Sequence, residues 1–135
     1  MTKSFSFVVP GEPIGQGSMK HIGNGRMIAA NDKKLRPWRK AVKEAIESKW
    51  AADGEIIKFD GPTGIRIEFC VERPKSVKRE WPTVPYDIDK SCRSILDSCT
   101  DSTIVTDDSI FVELYAKKVY GDGCPYGAHV TIYEV

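Results

Sequence analysis

Six aspartates fall between residues 86 and 108. Asp87 and Asp89 are separated by one residue, and Asp107 and Asp108 are adjacent. Carboxylates gathered at one point repel unless a cation lies between them, so this pattern points to a divalent metal site. Mg²⁺ takes a few carboxylates and fills its shell with water and substrate oxygens. Asp87, Asp89 and Asp108 fit that description. An ion held this way lowers the pKa of bound water and neutralises charge on phosphoryl oxygens, which are the two needs of phosphodiester hydrolysis. Arg93 lies four residues after Asp89, on the same side of a helix. It can offer a charge-assisted bond to a phosphate or stabilise charge in the transition state.

These residues need elements to hold them. Ile88, Cys92, Ile95, Leu96 and Cys99 recur at the spacing of one helix face. Asp87 or Asp89 suits the N-cap, where a carboxylate also favours the helix dipole. Ahead of the helix the chain reads as extended, so Asp87 and Asp89 point the same way. Ser109 to Val119 reads as a strand, with Ile110, Val112, Leu114 and Ala116 opposite Phe111, Glu113, Tyr115 and Lys117. Asp108 stands at its mouth. A chain that folds back around this helix brings carboxylates from both ends together.

The remaining elements follow from periodicity. Ser4 to Val9 alternates as a first strand, and the Gly- and Pro-rich stretch 10–25 is a loop or hairpin. Gly15-x-Gly17 lacks the phosphate-loop pattern. Arg26 to Ala30 is a short strand. A helix near 32–52 is capped by Asn31 or Asp32, tolerates Pro37 in its first turn and stops at Gly54. Its stripe of Leu35, Trp38, Val42, Ala45 and Ile46 places Trp38 in the core. Gly64 to Glu72 is a strand, and three prolines make 73–85 a loop. Ala128 to Val135 is the last strand. The expected fold is α+β, one domain over residues 1–135, with a single mixed β-sheet backed by two helices.

At 41% hydrophobic and 29% charged residues the composition is that of an ordinary globular domain. No apolar run reaches the roughly 18–20 residues that cross a bilayer, so no membrane partner is expected. Met1 to Pro10 lacks a signal-peptide core, and the expectation is a cytoplasmic protein. Cys70, Cys92, Cys99 and Cys124 form no CxxC pair and read as reduced, buried thiols rather than a zinc site or disulfide framework.

The net charge of +1 conceals an asymmetry: residues 1–43 hold nine basic side chains against two acids. Residues 86–113 hold seven acids against Lys90 and Arg93. A basic segment beside an acidic pocket suits a polyanion laid over a metal centre. Lys20, Arg26, Lys33, Lys34, Arg36, Arg39 and Lys40 are the expected contacts from the first segment. Arg73, Lys75, Lys78 and Arg79 join them from the loop ahead of the acidic motif. That loop also carries Trp81, and basic side chains interleaved with an aromatic suit a nucleic-acid groove.

The chain resembles the RusA family of phage-type Holliday junction resolvases. The likeness rests on Asp-x-Asp, an Arg four residues after its second Asp, and an Asp-Asp whose second member is 21 residues after the first Asp. Gly11-Glu-Pro-Ile-Gly-Gln-Gly-Ser-Met-Lys20 and Leu35-Arg-Pro-Trp-Arg39 are similar to the N-terminal part of phage and prophage members. The likeness covers most of the chain. It implies a Mg²⁺-dependent endonuclease, with Mn²⁺ able to stand in, working as a homodimer on branched DNA. Such an enzyme cuts symmetrically paired strands of a four-way junction in recombination, repair or phage DNA processing. It maps Asp87, Asp89 and Asp108 onto the catalytic metal ligands. Arg93 replaces the family's more usual Lys and Lys90 its frequent Asn; both keep or add positive charge. Arg holds its proton where Lys can release one. Asp107 and Lys90 are expected behind the ligands.

Rival readings meet specific obstacles. Asp87-x-Asp89-x-Ser91 opens like a calcium loop, but Cys92 stands where Gly is needed and Ser98 where Glu is needed. A haloacid-dehalogenase-like phosphatase needs a buried strand ahead of Asp-x-Asp, and Trp81 to Tyr86 is not one. His21 and His129 have no nucleophile partner in the sequence. The alternative that shares most of the features is a junction-binding protein that does not cut. Asp97 and Asp101 read as solvent-exposed.

Overall fold

The computed structural model describes residues 3–17, 19–29, 31–84 and 87–135, and their side chains except those of 19–22 and 26–29. β1 (Ser4–Pro10) buries Phe5, Phe7 and Val9 and exposes the residues between them, as alternation requires. β2 (Met19–Gly23) and β3 (Arg26–Ala29) form an antiparallel hairpin apart from the main sheet. The expected loop-or-hairpin between 10 and 25 thus resolves into a loop over 11–17 and the first hairpin strand.

α1 (Asp32–Asp53) buries Leu35, Trp38, Val42 and Ile46. It ends on Gly54 in the left-handed conformation at φ 67°. Pro37 sits beyond the first turn, so the helix forgoes one backbone bond there. Asn31 does not cap α1 with its side chain. Its Nδ2 donates to the Gly15 carbonyl at 2.8 Å, and its Oδ1 accepts from the Gly17 N–H at 3.2 Å. The side chain therefore pins the 11–17 loop.

β4 (Thr63–Val71) is followed by α2 (Ile88–Ser102), β5 (Phe111–Tyr120) and β6 (Gly127–Glu134). The four-stranded sheet has the order β1-β6-β4-β5. β4 and β5 are parallel, and β6 runs antiparallel to both β1 and β4. Parallel neighbours need a crossover, and α2 is that crossover. The fold is α+β with one open mixed sheet and two helices.

Both helices contribute to a single core. Trp38, Val42 and Ile46 from α1 and Cys92, Ile95 and Cys99 from α2 pack with Ile65, Ile67, Phe69, Val130 and Ile132 of the sheet. α2 also buries Ser91, Ser94, Ser98 and Ser102. Ser94, Ser98 and Ser102 bond back to carbonyls of their own helix, which satisfies hydroxyls in an apolar setting. Ile88, expected on the apolar stripe, is instead exposed at the start of the helix. The opposite sheet face carries Ser6, Val8, Arg66, Glu68, Tyr115, Lys117, His129 and Thr131 over a broad cavity. No helix among the described residues is long and apolar enough to cross a membrane.

Candidate active site

A cavity of about 520 Å³ lies between the outer flank of α2 and β5. Asp89, Arg93, Asp97 and Asp108 line it, with Ile88, Cys92, Leu96, Leu114 and Ala116 as its apolar floor. Residues 89, 93 and 97 fall on one flank because they recur every four positions along α2. Leu114 and Ala116 alternate with Tyr115 and Lys117, which line the cavity on the opposite sheet face.

Asp108 reaches this groove through a local device. The Asp107 carboxylate accepts the backbone N–H of Ser109 at 3.2 Å and caps a 3-10 turn over Asp108–Ile110. That bond holds the Asp107 carboxyl below the usual carboxylate range. The turn delays β5 to Phe111, two residues later than the periodicity predicts.

At the other end, Asp87 occupies the N-cap position of α2 without a side-chain capping bond. Its carboxylate pairs with Lys90 Nζ at 3.5 Å. The start of α2 is braced by the glycine loop: the Gln16 N–H donates to the Lys90 carbonyl at 3.0 Å, and Ser94 Oγ to the Ile14 carbonyl at 2.7 Å. A Cβ on Gly15 would lie 3.1 Å from Lys90 Cβ, so glycine permits this approach. The glycine loop is a brace for the acidic helix.

The structure lines the acids along a groove and does not bring Asp87, Asp89 and Asp108 to one point. Among the described residues, those three carboxylates do not all lie within 4.8 Å of one another. Asp89 and Asp97 lie eight positions apart on α2, about 12 Å of rise. Asp108 acts on Asp97, midway along α2. Burial pushes the Asp97 carboxyl up, opposed by Arg39 and Arg93 and reinforced by Asp108 and Asp101. Asp97 was read from sequence as an exposed residue. The continuing four-residue spacing from Asp89 through Arg93 was the signal that marks it. The acids of the groove are hard oxygen donors, which suit Mg²⁺ or Mn²⁺ over thiophilic metals. Cys92 borders it, but burial and then Asp89 push its thiol up to about 11, far from a reactive thiolate.

A basic surface adjoins the acids. Arg36, Arg39, Lys40 and Lys43 of α1 line a second cavity with Asp32, Leu35 and Asp101. Arg39 pairs with Asp101 of α2, which joins the two surfaces. Arg36 pairs with Asp32 at 2.8 Å and Lys40 with Glu44 at 3.8 Å, both largely exposed. Lys33 and Lys34 are exposed on the first turn of α1. The side chains of Lys20 and Arg26, and Tyr86 as a whole, lie outside the described residues.

In the 73–84 loop, Lys75, Lys78 and Arg79 are exposed and Trp81 is 52% exposed. Arg73 differs: its guanidinium makes a two-oxygen clasp on Asp122 at 2.9–3.0 Å. It also donates to the Val77 and Arg79 carbonyls and lies 4.1 Å over the Tyr120 ring. Arg73 therefore ties the loop to the β5–β6 turn.

No curated protein matches the chain. The family model of Endodeoxyribonuclease RusA matches residues 10–133, a span that includes the acidic groove, the basic surface of α1, β4, β5 and β6 up to Tyr133, and only Pro10 of β1. The chain belongs to the RusA endodeoxyribonuclease family, the crossover junction endodeoxyribonucleases.

Proposed function

We propose that residues 1–135 act as one domain that hydrolyses paired phosphodiester bonds in four-way DNA junctions with Mg²⁺, in recombination, repair or phage DNA processing. The observation that carries this reading is the groove itself, where Asp89, Asp97 and Asp108 face Arg93 beside a basic surface. Asp87, Asp89 and Asp108 are the carboxylates assigned to the ion, with Asp97 on the same groove as a further oxygen donor. When bound, the ion supplies an activated water and neutralises phosphoryl charge. Arg93 binds the phosphate through charge-assisted bonds. Asp107 and Lys90 hold Asp108 and Asp87 in place. Lys33, Lys34, Arg36, Arg39 and Lys40 of α1, with Lys75, Lys78 and Arg79 of the loop, carry the DNA backbone.

Two opposed cuts in a symmetric junction call for two sites, and a homodimer provides them. β5 is an edge strand with one unpaired side. That free edge, with Val112 63% exposed near its start, is where a second copy would pair.

The test is a labelled four-way junction with a matched duplex as control, in Mg²⁺ and in EDTA. Paired nicks in opposed strands are expected only with Mg²⁺. Asp89→Asn is expected to lower the rate at least about a thousandfold, roughly 4 kcal/mol, with junction binding kept or tightened as charge repulsion falls. Full cutting by that variant, or in EDTA, would overturn the assignment.

A further inference from the structure

Away from the acidic groove, on the other face of the sheet, two sulfurs and an imidazole converge. Cys70 is on β4, His129 on β6 and Cys124 in the turn that joins β5 to β6. Donor atoms of all three lie within 4.8 Å of one another. The Cys124 and Cys70 sulfurs are 2.7 Å apart. Cys70 is fully buried, and Cys124 and His129 are partly buried.

The sheet register makes this cluster. Glu68 is the cross-strand partner of His129, and Cys70 that of Gly127. Cys70 and Glu68, two apart, share the face away from the helices. Gly127 has φ 137°, and a Cβ there would fall 2.0 Å from the Val9 carbonyl oxygen. Only glycine fits there, and it brings the preceding turn, with Cys124, down over Cys70.

We propose that Cys70, Cys124 and His129 form a binding site for a thiophilic divalent cation of the zinc class. Two thiolates and an imidazole are a zinc donor set, and three protein ligands leave the fourth position for water. His129 carries the outer support such a ligand needs. With Nε2–H donating to the Pro125 carbonyl at 3.0 Å, Nδ1 holds the free lone pair. Glu68 Oε1 lies 3.8 Å from the Cys70 sulfur, while its other oxygen pairs with Lys117 Nζ at 3.3 Å. A carboxylate is therefore at hand beside the fourth position. Tetrahedral zinc with Zn–S near 2.3 Å sets its two sulfurs about 3.8 Å apart. Cys124 has to withdraw by about 1 Å on that geometry. Its place in a turn allows this, while Cys70 is fixed in the central strand. Asp122, two residues before Cys124, clasps Arg73 at the root of the basic loop. An ion at this site thus fastens the turn that anchors that loop.

The experiment is a titration of the reduced full-length protein with Co²⁺, read by absorption. One Co²⁺ per chain with a thiolate-to-cobalt charge-transfer band is expected, and Zn²⁺ should bleach it stoichiometrically. Cys124→Ser and His129→Ala should each weaken binding about a hundredfold or more. Asp89→Asn should keep the band, because Asp89 lies in the groove between α2 and β5, away from the three donors on the other face of the sheet. Circular dichroism of each variant separates lost binding from lost folding. A reduced, folded wild type that gives no thiolate band, or a band that survives Cys124→Ser, would overturn the site. So would a Cys70–Cys124 disulfide in protein purified without reductant, found by intact mass, whose reduced form binds no Co²⁺.

Discussion

Asp97 and Asp108 line one groove between α2 and β5, one from the middle of the helix and the other from the 3-10 turn at the mouth of the strand. Their charges act on each other, and the partial burial of Asp97 makes that repulsion costlier than at the surface. Arg93 and Arg39 offset it in part. A divalent ion would offset it further.

In the proposed site Asp97 is an oxygen donor to the ion. Asp97→Asn is expected to slow junction cleavage about tenfold, roughly 1.4 kcal/mol, and to raise the Mg²⁺ concentration needed for half-maximal rate. Stability without metal should be equal or higher, since a repelling charge is gone. A wild-type rate and Mg²⁺ dependence would return Asp97 to an ordinary helix flank.

Arg93 shares the groove with those acids. Arg93→Ala should lower the single-turnover rate about a hundredfold while junction affinity changes only a few-fold. Arg93→Lys should recover part of the rate, because the charge is kept and the forked geometry is lost. Equal losses in rate and affinity would make Arg93 a plain phosphate contact.

Gly15 bears on the same site from a distance. The Cβ of an alanine would press on Lys90 Cβ at 3.1 Å and on the Ser91 backbone N at 3.3 Å. The first turn of α2, with Asp89, would have to shift by a few tenths of an ångström. Gly15→Ala is expected to reduce cleavage about tenfold with junction binding kept, since small misplacements at a reacting centre are costly. An unchanged rate would show that the loop yields instead of the helix.

Trp81 and Lys40 test two kinds of DNA contact. Trp81 is half exposed in the basic loop, so its removal should not cost core packing. Trp81→Ala should weaken junction binding about tenfold through lost stacking, with the salt slope unchanged. Lys40→Ala should lower the slope of log affinity against log salt by about one. Reversed signatures would exchange the two roles.

Much of this protein was legible in one dimension. The alternation of Phe5, Phe7 and Val9 and of Ile65, Ile67 and Phe69 specified strands, because the side-chain period of a strand is two. The apolar spacings of α1 and α2 specified helices and the faces they bury. The family was legible in the aspartate spacing, which local chain geometry imposes. Other features depended on residues far apart in sequence. The parallel pairing of β4 with β5 makes α2 the crossover, which places Asp97, a residue the sequence left exposed, in one groove with Asp89 and Asp108. Asn31 looks like a cap in sequence and is a clamp on Gly15 and Gly17 in the fold. Arg73 reads as a free cation until Asp122, 49 residues on, closes over it. Cys70 and Cys124 are 54 positions apart, and no spacing rule links them. Periodicity encodes which way a side chain points. What it points at is set by strand order and register, and only the folded sheet decides those.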